Sequence, residues 1–390
     1  MRLILFVLLN FGALTLANSQ DTLLQNPWQI KLLFVGDIMG HGTQIAAAEV
    51  EKNKLYDYTP CFEYVAPILQ QADLAIGNLE LTLPGKPPYQ GYPLFRSPKD
   101  LAVALRYAGF DLLLTANNHS NDSGLEGVLN TISTLEEYGF YQTGTFKNQE
   151  ARDAFYPLLI YKNNFRLAFL NYTYDTNGVP TRAPSIVNEI KEDQIEKDLA
   201  VAHQLQPDAI IVVMHWGDEY QLQENAKQRA LAQKLADWGA DLIIGAHPHV
   251  VQPIKTITSK RADGTEKIVP VAYSLGNFIS GQVKLNTDGG LMVEITLQKD
   301  PQSGQVQIQT PQYLPVWRWV QRHADGKKTY RAVPISPFEV DASPIGMNAT
   351  DHAAMLRYAR ATRKNLETSK ASERKVNSVE LNLPVSNSSN

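Results

Sequence analysis

Along the first three quarters of the chain, short apolar runs alternate with stretches whose apolar residues recur at helical spacing. The runs are KLLFVGD (31–37), DLAIGNLE (73–80), DLLLTANNH (111–119), RLAFLNYT (166–173), AIIVVMHW (209–216), DLIIGAHPH (241–249) and VAYSLGNF (271–278). Each is too short for a typical helix and predicts a buried strand. Residues 100–109, 124–138 and 225–239 predict helices, with Gly109, Gly139 and Gly239 placed to close them. This alternation predicts an α/β fold. Beyond residue 285 the period changes to two, in GGLMVEITLQ, QVQIQTPQYLPVWRWV and TYRAVPISPFEV. These segments predict antiparallel strands completing a second sheet, with Trp317 and Trp319 as structural residues. A terminal segment over 341–366 holds one helix, from Asp351 to Leu366, and the polar Ser/Asn-rich residues 367–390 predict a disordered tail.

Nearly every run finishes in Asp, Asn, His or Glu. Ligands bind outside the carboxyl ends of strands in open α/β sheets, so these residues are expected to meet on one edge. Four of the eight histidines are among them: His119, His215, His247 and His249. Pro248 fixes its own φ and biases His247 towards an extended backbone, in which positions i and i+2 project to the same side. Two converging neutral imidazoles suit a metal site; the plainer alternative is a pair of loop histidines bonded to backbone carbonyls. Around the histidines stand Asp37, Asn78, Glu80, Asn118 and Asp122. A dinuclear hydrolytic site needs this mixture: imidazole and carboxylate ligands, one bridging oxygen ligand, and an acid for the leaving group. His41 follows Asp37 by one helical turn and is in position to face the same site, whereas His203, His323 and His352 read as surface residues.

Composition narrows the function classes. The 390 residues are 44% hydrophobic, enough for one large core or two smaller ones. With 36 basic and 40 acidic residues the net charge is -4, and no basic block exists, which argues against nucleic acid as a partner. The opening MRLILFVLLNFGALTLANSQ reads as a signal peptide over 1–19, cut before Gln20, giving an exported protein, or an anchored one if uncleaved. Cys61 is the only cysteine, so no internal disulfide forms.

GDIMGHG, IGNLELTL, FRSPKDL, LLTANNHSNDSG, VVMHWGDEY, GAHPHVVQPI and YSLGNF resemble the successive motifs of the CapA family. These are bacterial proteins linked to poly-γ-glutamate capsule synthesis and related to calcineurin-like metallophosphoesterases. The resemblance covers residues 31–282, within a domain expected over 29–340, and implies a four-layer α/β/β/α sandwich holding two divalent ions of Mn, Zn or Fe. Carried over position by position, Asp37 resembles a ligand of the first metal, as does His249. His215 and His247 resemble ligands of the second, Asn118 the asparagine ligand, and His119 the acid that protonates the leaving group. Two departures stand out. Met39 occupies the place of a histidine ligand unless His41 replaces it, and Asn78 that of the bridging aspartate, which leaves Glu80 as the bridging carboxylate.

Other residues admit two readings. Arg96 either clamps a substrate phosphate or carboxylate or forms a surface ion pair. Asn277 either orients a ligand or caps a turn, and Asp122 is either a partner of His119 or a helix cap. Two functions follow: an exported metal-dependent hydrolase of a small phosphoester or an acidic polymer, or a non-catalytic polymer-binding capsule-assembly factor with a degenerate metal site. Either would work beside a membrane-associated capsule synthesis complex. A TIM-barrel amidohydrolase also uses a His-x-His pair, but near its first strand rather than late in the chain.

Overall fold

The apolar runs form the strands of two stacked sheets in the computed structural model, which describes residues 26–52, 54–260 and 264–382. The expected signal peptide lies outside the described residues. In the first sheet the strand Gln29–Ile38 is central. On one side it runs parallel to Leu74–Leu79, followed by Leu112–Leu114 and Tyr141–Thr143. On the other it pairs antiparallel with Gly289–Lys299, followed by Gln312–Arg322 and Lys328–Pro334. The period-two segments therefore extend the first sheet rather than build the second. The second sheet has four parallel strands, Phe165–Thr173, Ala209–His215, Leu242–Ala246 and Glu266–Ala272, with a hairpin partner at each edge.

Both faces of the parallel strands are covered, which explains their continuous apolar runs. Leu32, Phe34, Ile76 and Leu114 join Phe169, Ile211, Val213 and Ile244 in a core between the sheets. The alternate residues Leu33, Val35, Ala75 and Leu113 pack with Leu101 and Leu105 of the helix Asp100–Ala108. Ile210, Val212 and Ile243 pack with Leu199 and Leu235 of the helices Glu192–Gln204 and Ala226–Asp237. Each of these Val, Leu, Ile and Phe side chains contributes about 1.5–3 kcal/mol on full burial. The architecture is the four-layer α/β/β/α sandwich. Gly109, Gly139 and Gly239 follow their helices with positive φ, as expected.

The run VAYSLGNF is not one strand. Glu266–Ala272 belongs to the second sheet and Asn277–Ile279 pairs with Gln29–Ile38 in the first, so residues 273–276 cross between sheets. The crossing brings two backbones together at glycines. Asp37 N–H donates to Gly276 O at 2.9 Å, and a Cβ on Gly36 would lie 1.8 Å from that oxygen. No other residue fits there.

Trp317 and Trp319 are buried, their indole N–H groups donating to Asp288 and Asp351. The terminal helix spans Ala349–Asn365, and the stretch before it carries only a short helical turn, Ser343–Ile345. The expectation of a disordered tail fails as far as Asn382. Ser372–Glu373 pairs with Gln312–Arg322, Val376 and Leu381 are buried, and Arg363 and Arg374 form ion pairs with Glu373 and Glu294. Two apolar side chains spaced among polar ones suffice to hold the segment once a sheet edge is present. Residues 383–390 lie outside the described ones.

Candidate metal centre

The carboxyl ends of the parallel strands in the two sheets meet at one place. The first sheet delivers Asp37 and Asn78, which sit side by side in register, then Glu80, and beyond the strand Leu112–Leu114 the loop with Asn118 and His119. The second delivers His215 at the end of its strand and His247 and His249 just past the next. All are buried. His247 departs from expectation: its φ is +99° and that of His249 is +59°, so the histidines converge through a left-handed turn and not through an extended chain. Their ring centroids are 5.9 Å apart. Backbone conformations this uncommon persist where the surroundings enforce them, often at functional sites.

Two sets of side chains each present ligand atoms within 4.8 Å of one another: Glu80, His247 and His249, and Asp37, Glu80 and His215. Glu80 belongs to both, as a bridging carboxylate would. The sets divide the histidines differently from the resemblance, which paired His215 with His247 and Asp37 with His249. Neither Glu80 oxygen has a hydrogen-bond partner, nor has His247 Nδ1, although all three atoms are buried. An unsatisfied buried polar group costs about 1–3 kcal/mol, and more when charged. A divalent cation would satisfy all three, so the residues present fit one. Burial, then the Asp37 charge, pushes the Glu80 carboxyl well above its usual range. Burial, followed by neighbouring histidines, drives His215 far down and His247 to about 3, so both rings are neutral and offer a lone pair.

Hydrogen bonds orient the donors. His249 Nδ1 donates to Asn277 Oδ1 and Asp37 Oδ2, both at 3.1 Å, which leaves the Nε2 lone pair free. His215 Nε2 and Asn118 Oδ1 are 2.8 Å apart, a separation that also suits two ligands of one ion. His119 Nδ1 donates to Asp122 Oδ2 at 2.7 Å, and the same carboxylate oxygen accepts from Phe95 N–H at 2.6 Å. Asp122 is therefore the partner of His119. Burial raises its carboxyl pKa, opposed by the hydrogen bond from His119.

Several sequence-based assignments change. Asn78 is engaged by side chains of the protein: its amide donates to Asp37 Oδ1 at 2.8 Å and its oxygen accepts from Asn117 at 3.3 Å. Asn277 orients His249: its amide donates to Gln282 Oε1 and Thr287 O while its oxygen faces the His249 ring. Arg96 forms no ion pair of its own among the described residues. Its backbone pairs with Gln90, and its Nε is buried without a partner. His41 does not replace the histidine missing at Met39, since its Nδ1 accepts from Gly281 N–H at 3.1 Å. The Phe95 ring stands between it and His119, 4.8 Å from one and 4.6 Å from the other.

The sequence reading missed three residues. Asn117 donates to Leu79 O and accepts from His119 N–H, fixing the loop under the histidine. Asn177, whose Asn-Gly pair signals only a turn, accepts from Asn118 Nδ2 at 3.3 Å and has its amide 3.4 Å from His119 Nε2. Glu219, four residues after a strand-end histidine, comes within 3.9 Å of His249 Nε2.

A profile described as bacterial capsule synthesis protein PGA_cap matches residues 31–282. Capsule biosynthesis protein CapA of Bacillus anthracis is 30% identical over 281 residues, 69% of this chain. The match spans 64% of that relative's length, under two thirds of it. PGA biosynthesis protein CapA of Bacillus subtilis is 30% identical over 273 residues, covering 68% of this chain and 67% of that protein. Among solved structures, the calcineurin-like phosphoesterase YfkN of Bacillus subtilis aligns with a TM-score of 0.43 at 14% identity, covering 86% of this chain and 98% of that one. The chain belongs to the bacterial capsule synthesis protein family PGA_cap.

Proposed function

We propose that this protein is an exported, metal-dependent hydrolase that acts on a phosphoester or an amide of an acidic polymer during capsule biosynthesis, beside a membrane-associated synthesis complex. The observation that carries the reading is Glu80: wholly buried, shared by both ligand sets, with both oxygens unpartnered. Asp37, Glu80, Asn118, His215, His247 and His249 would hold one or two divalent ions of Mn, Zn or Fe. Bound there, such ions polarise the scissile group and lower the pKa of water. The chain's own residues do the rest. Asp122 fixes the His119 ring through Nδ1, which turns Nε2 towards Asn177 and the site, where a ring protonated at both nitrogens would give its Nε2 proton to a leaving group. The Tyr174 ring, 4.5 Å from that of His247, walls the site on the second-sheet side.

The test is hydrolysis of bis-p-nitrophenyl phosphate and of γ-glutamyl oligomers by protein purified from Gln20 and loaded with Mn2+ or Zn2+, beside a Glu80→Gln variant. Turnover that disappears on chelation and in the variant supports the hydrolase. Bound metal with no turnover of either substrate would replace it with the polymer-binding assembly factor.

A further inference from the structure

We infer that Glu219 is a ligand of the cation held by His249, replacing the imidazole lost at Met39. The inference rests on the metal-centre reading and identifies the residue that completes it. Neither position that sequence reasoning offers fills the gap. Met39 is buried within the apolar cluster of the first sheet and its N–H donates to Ile279 O at 2.9 Å. His41 is bonded to Gly281 and separated from His119 by Phe95.

Glu219 stands on the side of His249 that is open. With His249 Nδ1 engaged by Asn277 and Asp37, Nε2 faces two carboxylates, Glu80 Oε1 at 3.8 Å and Glu219 Oε1 at 3.9 Å. Bonds of about 2.0–2.2 Å to nitrogen and oxygen place two ligands of one ion up to about 4 Å apart, so each carboxylate stands at the outer limit of that range from Nε2. Glu219 belongs to neither ligand set as its side chain lies, and it joins the ion by turning that exposed side chain inward. The segment bearing Glu219 is tied to the histidine turn. Tyr220, with φ +66°, donates its N–H to Pro248 O at 2.8 Å, and its ring lies under Lys284 Nζ at 3.5 Å and 6.1 Å from the His249 ring. A shift of the His-Pro-His turn therefore carries Glu219 with it.

Charge points the same way. Asp37 and Glu80 bring two negative charges to a buried site for divalent ions, and a third carboxylate lowers the excess positive charge. The Glu219 side chain is 44% exposed while its partners are buried, which makes it the ligand at the mouth, where it is free to yield to an incoming anion. An oxygen donor in place of nitrogen also moves the site towards the preferences of Mn2+.

The test is calorimetric titration of the metal-free protein with Mn2+, with elemental analysis after dialysis, for the unmodified chain and for Glu219→Gln, Glu219→Asp and Asp218→Asn. The inference expects one equivalent to weaken at least ~10-fold in Glu219→Gln, with partial recovery in Glu219→Asp. Asp218→Asn, which removes the same charge one residue away from a carboxylate bonded to Asn225, keeps the unmodified affinity. Unchanged metal-free melting of Glu219→Gln separates ligand loss from misfolding. Full affinity in Glu219→Gln overturns this inference and leaves the metal centre standing, whereas an unmodified protein that binds no Mn2+ overturns the metal-centre reading and this inference together.

Discussion

Asn171 offers a measurable test of how the two sheets position the site. It belongs to the strand Phe165–Thr173 of the second sheet and is buried, with 1% of its surface exposed. Its Oδ1 accepts from Ala116 N–H at 2.8 Å, and its Nδ2 donates to Val213 O at 3.2 Å. Ala116 lies in the first-sheet loop immediately before Asn117, Asn118 and His119, so this one amide joins the sheets at the loop that carries the site. In Asn171→Ala two hydrogen bonds are lost, at about 0.5–1.5 kcal/mol each, and the Ala116 N–H is left buried at about 1–3 kcal/mol. Those costs overlap, because the penalty at Ala116 includes the loss of its bond, and the expected destabilisation is about 2–4 kcal/mol. Urea unfolding of the metal-free protein reads it as a lower midpoint at unchanged slope. Amide exchange at Ala116 should quicken at the same time. A loss below about 1 kcal/mol would refute the claim that this side chain couples the sheets.

Two further outcomes follow from burial away from the site. Deleting residues 370–390 removes the Ser372–Glu373 strand and exposes the surfaces covered by Val376 and Leu381; differential scanning calorimetry should show a loss of about 2–5 kcal/mol, and an unchanged midpoint would mean the segment contributes nothing. Burial pushes the Cys61 thiol from 9.0 up to about 12, so in the native protein it should resist iodoacetamide at pH 8 and react only after unfolding. Because the folded value is the higher one, the folded state retains the proton that the unfolded state loses. Stability should therefore fall by about 1.4 kcal/mol per pH unit on going from 9.0 towards 12, and Cys61→Ala should remove that slope.

Much of this molecule is written locally. Runs such as Leu32–Val35 and Ile210–Val213 are apolar at every position because both faces of a parallel strand are covered, and that pattern is legible without a structure. So are the helix-closing glycines, set by the conformation one residue must adopt, and the collection of Asp37, Glu80, His215, His247 and His249 at strand ends. The crossing at 273–276 was not legible, because VAYSLGNF carries the same apolar character on either side of the sheet switch. Nor is the order of strands, and the period-two segments, antiparallel as their alternation predicts, join the first sheet and not the second.

Which polar residue does what was decided only in three dimensions. Asn78 and Glu80 are two residues apart and both suit a bridging position, yet Asn78 is hydrogen-bonded to Asp37 and Asn117 while the Glu80 oxygens, facing His215 and His249, make no hydrogen bond. Asn277 serves His249, a fact that no spacing encodes. The physical reason is range. A strand or a turn is chosen by neighbours a few residues away, whereas His249 meets Asp37 across 212 positions of chain, and the partner of a buried polar atom is fixed only when packing brings such distant segments together.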